Sequence, residues 1–270
     1  IILLTPRDKT LFVRVVAATA TFISLALAIY VFIAYDRNAA AALPAAEYQF
    51  QAVAPWVPSL GINYHVGVDG IGLTMVLLTG VVGFMGVLIS WNIKDRIREF
   101  MAFFMLLVAG VYGVFVSLDL FQLLFFYELS IFPMYILIAT WGSTRKEYAA
   151  MKLTLYLLIG SIIALIGVLA VYFSAQFQPG LLPEGMTRTF DLLLLQKANI
   201  PIEVQRAWFL PIFIGFGVLA GIWPFHNWSP DGHVAAPTAV SMIHAGVLMK
   251  LGAFAAIMAM RVLPDAAREQ

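Results

Sequence analysis

Long apolar runs separated by polar breaks dominate the chain. Mostly apolar stretches lie at 11–34, 71–92, 100–118, 120–141, 150–173, 208–224 and 234–263, and each has about the 20 residues that a helix needs to cross a bilayer. They predict seven complete spans. Ile1, Ile2, Leu3 and Leu4 run straight into Thr5, Pro6 and Arg7 with no initiating Met, which reads as the clipped end of an earlier span. No basic stretch followed by a short apolar core and a small-residue cleavage site opens the sequence, so no secretory signal is expected. The segments must pack so that every helix satisfies its own backbone groups. The expected fold is all-α: a polytopic transmembrane helix bundle forming one membrane domain.

The breaks differ in length and charge. Assigned alternately to two sides, the short loops gather Arg7, Lys9, Arg14, Lys94, Arg96, Arg98, Arg145 and Lys146 on one side. The other side receives the longer loops, 35–70 and 174–207, and the C-terminal tail, with Asp36, Glu47, Asp69, Glu184, Asp191 and Glu203. The positive-inside rule places loops 93–99 and 142–149 in the cytoplasm, as in a multi-pass protein of the inner (plasma) membrane. Alternation at Ile62, Tyr64 and Val66, near Pro55, Pro58 and Gly61, predicts a short extracytoplasmic hairpin. In the second long loop, Asp191 to Gln196 suits a short interfacial helix, and nothing catalytic is visible in either loop.

Composition narrows the chemistry. Hydrophobic residues make up 62% and charged residues 11%, against about 25% charged in a soluble domain. The 16 basic and 15 acidic residues nearly cancel, which leaves no basic footprint for nucleic acid. The chain contains no cysteine, so thiolate metal sites, iron-sulfur ligation and disulfides are excluded within it. Any redox chemistry must sit on a partner.

Three ionisable residues remain inside the apolar runs, Glu128, Lys152 and Lys250, and His244 joins them. Such charges cost about 2.5 to 3.5 kcal/mol on insertion scales and usually face a bundle interior, marking ion or proton routes. Glu128 lies about 13 Å along its helix from Asp119, near the bilayer centre. Five residues on, Pro133 cannot donate to the Leu129 carbonyl, so a kink is expected beside the carboxylate. The alternatives for Glu128 are a proton carrier, the partner of a buried cation, and a glutamate that merely ties two helices. Lys152 is close enough to Lys146 to snorkel back to the interface. Lys250, about 20 Å beyond Pro237, is too deep for that. His244 is either a relay or a packed neutral ring.

The segment from Trp223 to His233 is the other anomaly. Pro224 and Pro230 interrupt helix continuity and Gly232 weakens it, so a discontinuous helix is expected near 223–234. Irregular backbone at membrane depth is tolerated where protein covers it or a cavity runs beside it. His226, Asp231 and His233 fall short of the convergent ligands that a metal needs, so no metal site is expected.

Four blocks then carry a resemblance: Phe126 to Gly142 (FYELSIFPMYILIATWG), Tyr148 to Tyr156 (YAAMKLTLY), Pro224 to Ser241 (PFHNWSPDGHVAAPTAVS) and His244 to Ala253 (HAGVLMKLGA). They resemble the antiporter-like subunit M of bacterial NADH-quinone oxidoreductase, the counterpart of mitochondrial chain 4. The resemblance implies a fourteen-helix subunit of the membrane arm of complex I, built of two inverted five-helix repeats. Residues 1–99 would hold the N-terminal helices and hairpin and 100–263 the first repeat, with the second repeat absent from the chain. It also implies proton-transfer roles for Glu128, Lys152 and Lys250, and broken-helix roles for Pro224, His226, Pro230, Asp231, His233 and Pro237. The chain would carry no cofactor, with NADH, FMN, iron-sulfur clusters and quinone on partner subunits. One departure stands out: the family's seventh-helix lysine, which partners the glutamate, falls on Leu219. The family's arginine after the eighth-helix lysine is replaced by Met258, with Arg261 three residues on. An Mrp-type cation/proton antiporter subunit and the membrane subunit of an energy-converting hydrogenase share the same helix repeat, and a purely structural membrane subunit is a third reading.

Overall fold

The computed structural model describes residues 2–6, 9–42, 47–183 and 185–269. Ile1, Arg7 and Glu184 therefore lie outside the described residues. Among the described residues seven helices are long and apolar enough to span a membrane. They are α1 (Thr10–Ala34), α3 (Gly70–Ile89, prolonged by a 3-10 turn to Asn92), α4 (Ile97–Val116), α5 (Leu120–Trp141), α6 (Lys146–Ser174), α8 (Ile202–Ala220) and the stretch Thr238–Val262. The last comprises α10 (Thr238–Ile243), a π-turn (His244–Leu248) and α11 (Met249–Val262). Short helices complete the set: α2 (Arg37–Ala42), α7 (Leu192–Leu195), α9 (Trp228–Ala235) and α12 (Pro264–Glu269).

Small residues let the helices approach. A Cβ on Gly252 of α11 would meet the Phe216 carbonyl of α8 at 2.4 Å and the Ala220 nitrogen at 2.5 Å, so these two backbones touch where only glycine fits. The aromatic core between α4, α5 and α8 includes Phe104, Phe115, Tyr127 and Phe216, all fully buried. Outward faces instead carry Phe22, Ile33, Phe132, Ile159 and Phe173, the surface expected of helices solvated by lipid. α5 runs uninterrupted through Pro133.

The two long loops fold against each other at one end of the bundle. The first forms an antiparallel hairpin, β1 (Gln49–Val57) and β2 (Ile62–Val68), with Val53 opposite His65 and Ala54 opposite Tyr64. Gly61 turns the hairpin in a left-handed conformation (φ 65°), and a Cβ there would strike the Arg188 carbonyl. The hairpin tip is thus pressed beneath the second loop. Three aspartates cap helices at this end: Asp69 accepts from the Gly72 nitrogen on α3, Asp119 from Phe121 and Gln122 on α5, and Asp191 from Leu193 and Leu194 on α7. Each carboxylate satisfies backbone donors that the helix start leaves open.

Candidate functional site

The expected helix break is present, overlapping the 223–234 range and containing Pro224. α8 ends at Gly221, which adopts the left-handed conformation (φ 74°), and the chain turns until Trp228. Helix then resumes with Pro230 at its third position and Gly232 inside it. The expectation that Pro230 and Gly232 keep this stretch irregular is corrected. Proline in a first helical turn forfeits no intrahelical bond, because the N–H there has no acceptor. Trp223, Pro224 and His226 sit exposed on the turn, whereas Trp228 is fully buried and its Nε1 donates to the Val218 carbonyl at 3.0 Å. That bond pins the resumed helix to the end of α8.

Around this break the polar residues of α6, α9 and α10 converge. Lys152 donates from Nζ to Asp231 Oδ2 at 2.7 Å, with 18% and 44% of the two side chains exposed. The lysine sits about 9 Å inside the start of α6 and reaches across to α9. His244 is fully buried and stacked between Trp228 (ring centroids 5.2 Å apart) and His233 (4.1 Å). Neither of its ring nitrogens has a hydrogen-bond partner. It opens the π-turn, a helix irregularity that recurs at functional sites. His233 Nδ1 lies 3.0 Å from Ser241 Oγ, and Pro237 stands just before α10. His226, Asp231 and His233 go separate ways, and among the described residues no cluster of three His, Cys, Asp or Glu forms a metal-binding group.

Glu128 lies apart from this group on α5, whereas the charge of Lys250 on α11 acts on His233. Both lie on exposed faces of the chain, not in its interior. Glu128 is flanked on the α5 surface by Phe125 and Phe132, both exposed. Lys250 Nζ donates to the Ala245 carbonyl within its own helix. Among the described residues no cation forms an ion pair with Glu128. Leu219, where the resemblance expects a lysine, is fully buried. The sequence reading missed the face because α5 is apolar almost all round, so the only clue to its inward side is packing.

A histidine passed over in the sequence is built into the opposite end. His65 of β2 is buried, with Nδ1 2.6 Å from Asp191 Oδ2 and Nε2 3.3 Å from Gln51 Oε1. Its backbone N–H donates to Gln122 Oε1 of α5 at 2.9 Å. Nearby, Arg261 at the end of α11 reaches Glu47 at 2.9 Å and Asp69 at 3.0 Å and contacts the Tyr48 hydroxyl. The arginine therefore ties α11 to the hairpin loop. The local signals for these partners are only single letters, since the contacts span 126 residues for His65 and Asp191 and 213 for Arg261 and Tyr48.

A bundle of spanning helices with one helix broken, and with ionisable side chains gathered at the break, defines a class of polytopic membrane proteins. Within that class, residues 117–269 match the family described as "NADH:quinone oxidoreductase/Mrp antiporter, TM", and the chain belongs to it. It is 38% identical over 223 residues to NAD(P)H-quinone oxidoreductase chain 4 3 of Picosynechococcus sp., covering 82% of this chain and 39% of the relative. It is 34% identical over 250 residues to NADH-quinone oxidoreductase subunit M of Rickettsia conorii, covering 92% and 47%. Among solved structures, respiratory complex I from Thermus thermophilus with bound NADH contains a chain that superposes with a TM-score of 0.78 at 23% identity, over 95% of this chain and 50% of that one. That likeness concerns the fold. The chain spans about half the length of the curated relatives it matches.

Proposed function

We propose that this chain is part of a proton-translocating membrane-arm subunit of a NADH-quinone oxidoreductase, with residues 100–263 forming an antiporter-like repeat. NADH, FMN, iron-sulfur clusters and quinone would be held by partner subunits. Its own share of the work is to move protons in response to chemistry done elsewhere. What supports this reading is the helix break at Gly221–Asn227, beside which Lys152 pairs with Asp231 and His233 stacks on His244. Ionisable groups that cost insertion energy are retained there in contact with one another.

The exposed Glu128 supports partners in the same reading. A carboxylate near mid-depth is costly against hydrocarbon, so the α5 face with Phe125 and Phe132 is covered by other protein in the assembled complex. For orientation, the basic end faces the cytoplasm: Arg14 donates to the Ile93 carbonyl, Arg98 to Thr5, and Arg96 lies over Trp141. Lys152 and the helix break then open toward the cytoplasmic half, and the aspartate-capped end faces outward in the inner (plasma) membrane.

An antiporter subunit shares the family description, and one experiment separates the two. In inverted vesicles containing the full complex, proton uptake is expected on adding NADH and quinone, with no response to a sodium gradient alone. Uptake driven by sodium without NADH would assign the chain to the antiporter branch instead.

A further inference from the structure

We propose that His65, held between Asp191 and Gln51 at the aspartate-capped end, is a proton-binding site in which both ring nitrogens carry a proton. The ligand is a proton exchanged with the water outside that face. This assignment of direction rests on the transport reading above, whereas the site itself rests on geometry.

Gln51 is held in one orientation. Its Nε2 donates to the Tyr48 carbonyl at 2.8 Å, which leaves Oε1, an acceptor, facing His65 Nε2. On the other side of the ring, Asp191 Oδ2 faces Nδ1 at 2.6 Å. A neutral imidazole has one donor and one acceptor nitrogen, so it would leave one of these oxygens facing a lone pair. An imidazolium satisfies both, and the short contact to a carboxylate is typical of a charge-assisted bond. The rest of the setting holds the ring still. Its backbone is fixed by Gln122, and Asp191 Oδ1 is occupied by the Leu193 and Leu194 amides, which leaves Oδ2 for the histidine.

The groups facing this pair from each packed element are few. α5 brings Asp119 and Gln122, β1 brings Gln51, and the loop before α7 brings Thr189 and Asp191. Arg188 of that loop turns its guanidinium over Phe173, 5.3 Å from the ring centroid, and Arg261 is taken by Glu47 and Asp69. Asp119 pairs with Asp191 in an antiparallel backbone bridge, and its carboxyl is pushed up to about 6, chiefly by burial, with the Asp191 charge adding to it against three backbone donors. Two acids and a histidine thus share the start of α5, the helix that carries Glu128 about 13 Å further along. A second polar atom there, Gln122 Nε2, is buried with no partner.

The test is nitrogen NMR of the full-length protein in lipid bilayers with 15N-labelled histidine. Subtracting the spectrum of His65→Gln isolates the His65 signals. At pH 7 the expected result is a pair of resonances from two protonated ring nitrogens, and in Asp191→Asn the ring becomes singly protonated at the same pH. A neutral tautomer of His65 in the unmodified protein at pH 7 would overturn the proposal. So would an imidazolium unchanged by Asp191→Asn. Because the spectrum needs no NADH, an imidazolium found in vesicles that fail the NADH-driven uptake test would leave this site standing while removing the transport reading.

Discussion

Replacing Trp228 by alanine is expected to destabilise the protein by about 3 to 5 kcal/mol, the range for truncating a fully buried large aromatic. The side chain fills the space between the end of α8 and the π-turn, where it stacks on His244 and donates to the Val218 carbonyl. Phenylalanine keeps most of the volume and loses the donor. Since Val218 also accepts from the Gly221 amide, Trp228→Phe should cost only about 1 kcal/mol, the usual net value of one hydrogen bond. Thermal unfolding of the purified protein, together with protease cleavage within 221–227, measures both. Equal losses for the two variants would show that the donor, not the packing, holds the resumed helix in place.

The second large effect concerns the ion pair between α6 and α9. Lys152→Met keeps the length of the side chain and removes the charge, leaving Asp231, which retains water contact, without its partner. Proton uptake by the complex should fall about tenfold, the change that about 1.4 kcal/mol at a transition state produces, while quinone reduction in uncoupled membranes persists. Asp231→Asn should have a similar effect. The exchange of the two residues, Lys152→Asp with Asp231→Lys, should recover part of the loss, as coupled neighbours do. A lysine that only snorkels to the interface would leave uptake unchanged in Lys152→Met.

The spanning helices are legible in the sequence because lipid demands long apolar runs, and α5 is bounded where the runs say, at Leu120 and Trp141. α8 starts earlier than its apolar run, at Ile202, because Glu203, Gln205 and Arg206 form a polar first turn that lies outside the hydrophobic pattern. The hairpin and the short helix after Asp191 are also legible from alternation and capping. Partners are harder to read. Lys152 and Asp231 are visible as separate anomalies, yet the bond between them depends on how α9 folds back after Gly221. His65 gives almost no signal, since a single histidine in an alternating strand says nothing of the loop that covers it from 126 residues away. The direction of Glu128 is equally hidden, because a helix with apolar residues on every side does not announce which face is inward.

Whether this chain passes protons through its ionisable side chains is decided at Glu128. The measurement is the number of protons taken up per NADH oxidised by the full complex in reconstituted vesicles. With Glu128→Gln, which keeps shape and hydrogen bonding but cannot exchange a proton, the ratio should fall to less than about half while assembly is retained, since only a group that titrates can pass a proton on. Glu128→Asp, which keeps the titratable group on a shorter stem, should lose less. An unchanged ratio in Glu128→Gln would contradict the account and leave this glutamate a structural contact between helices.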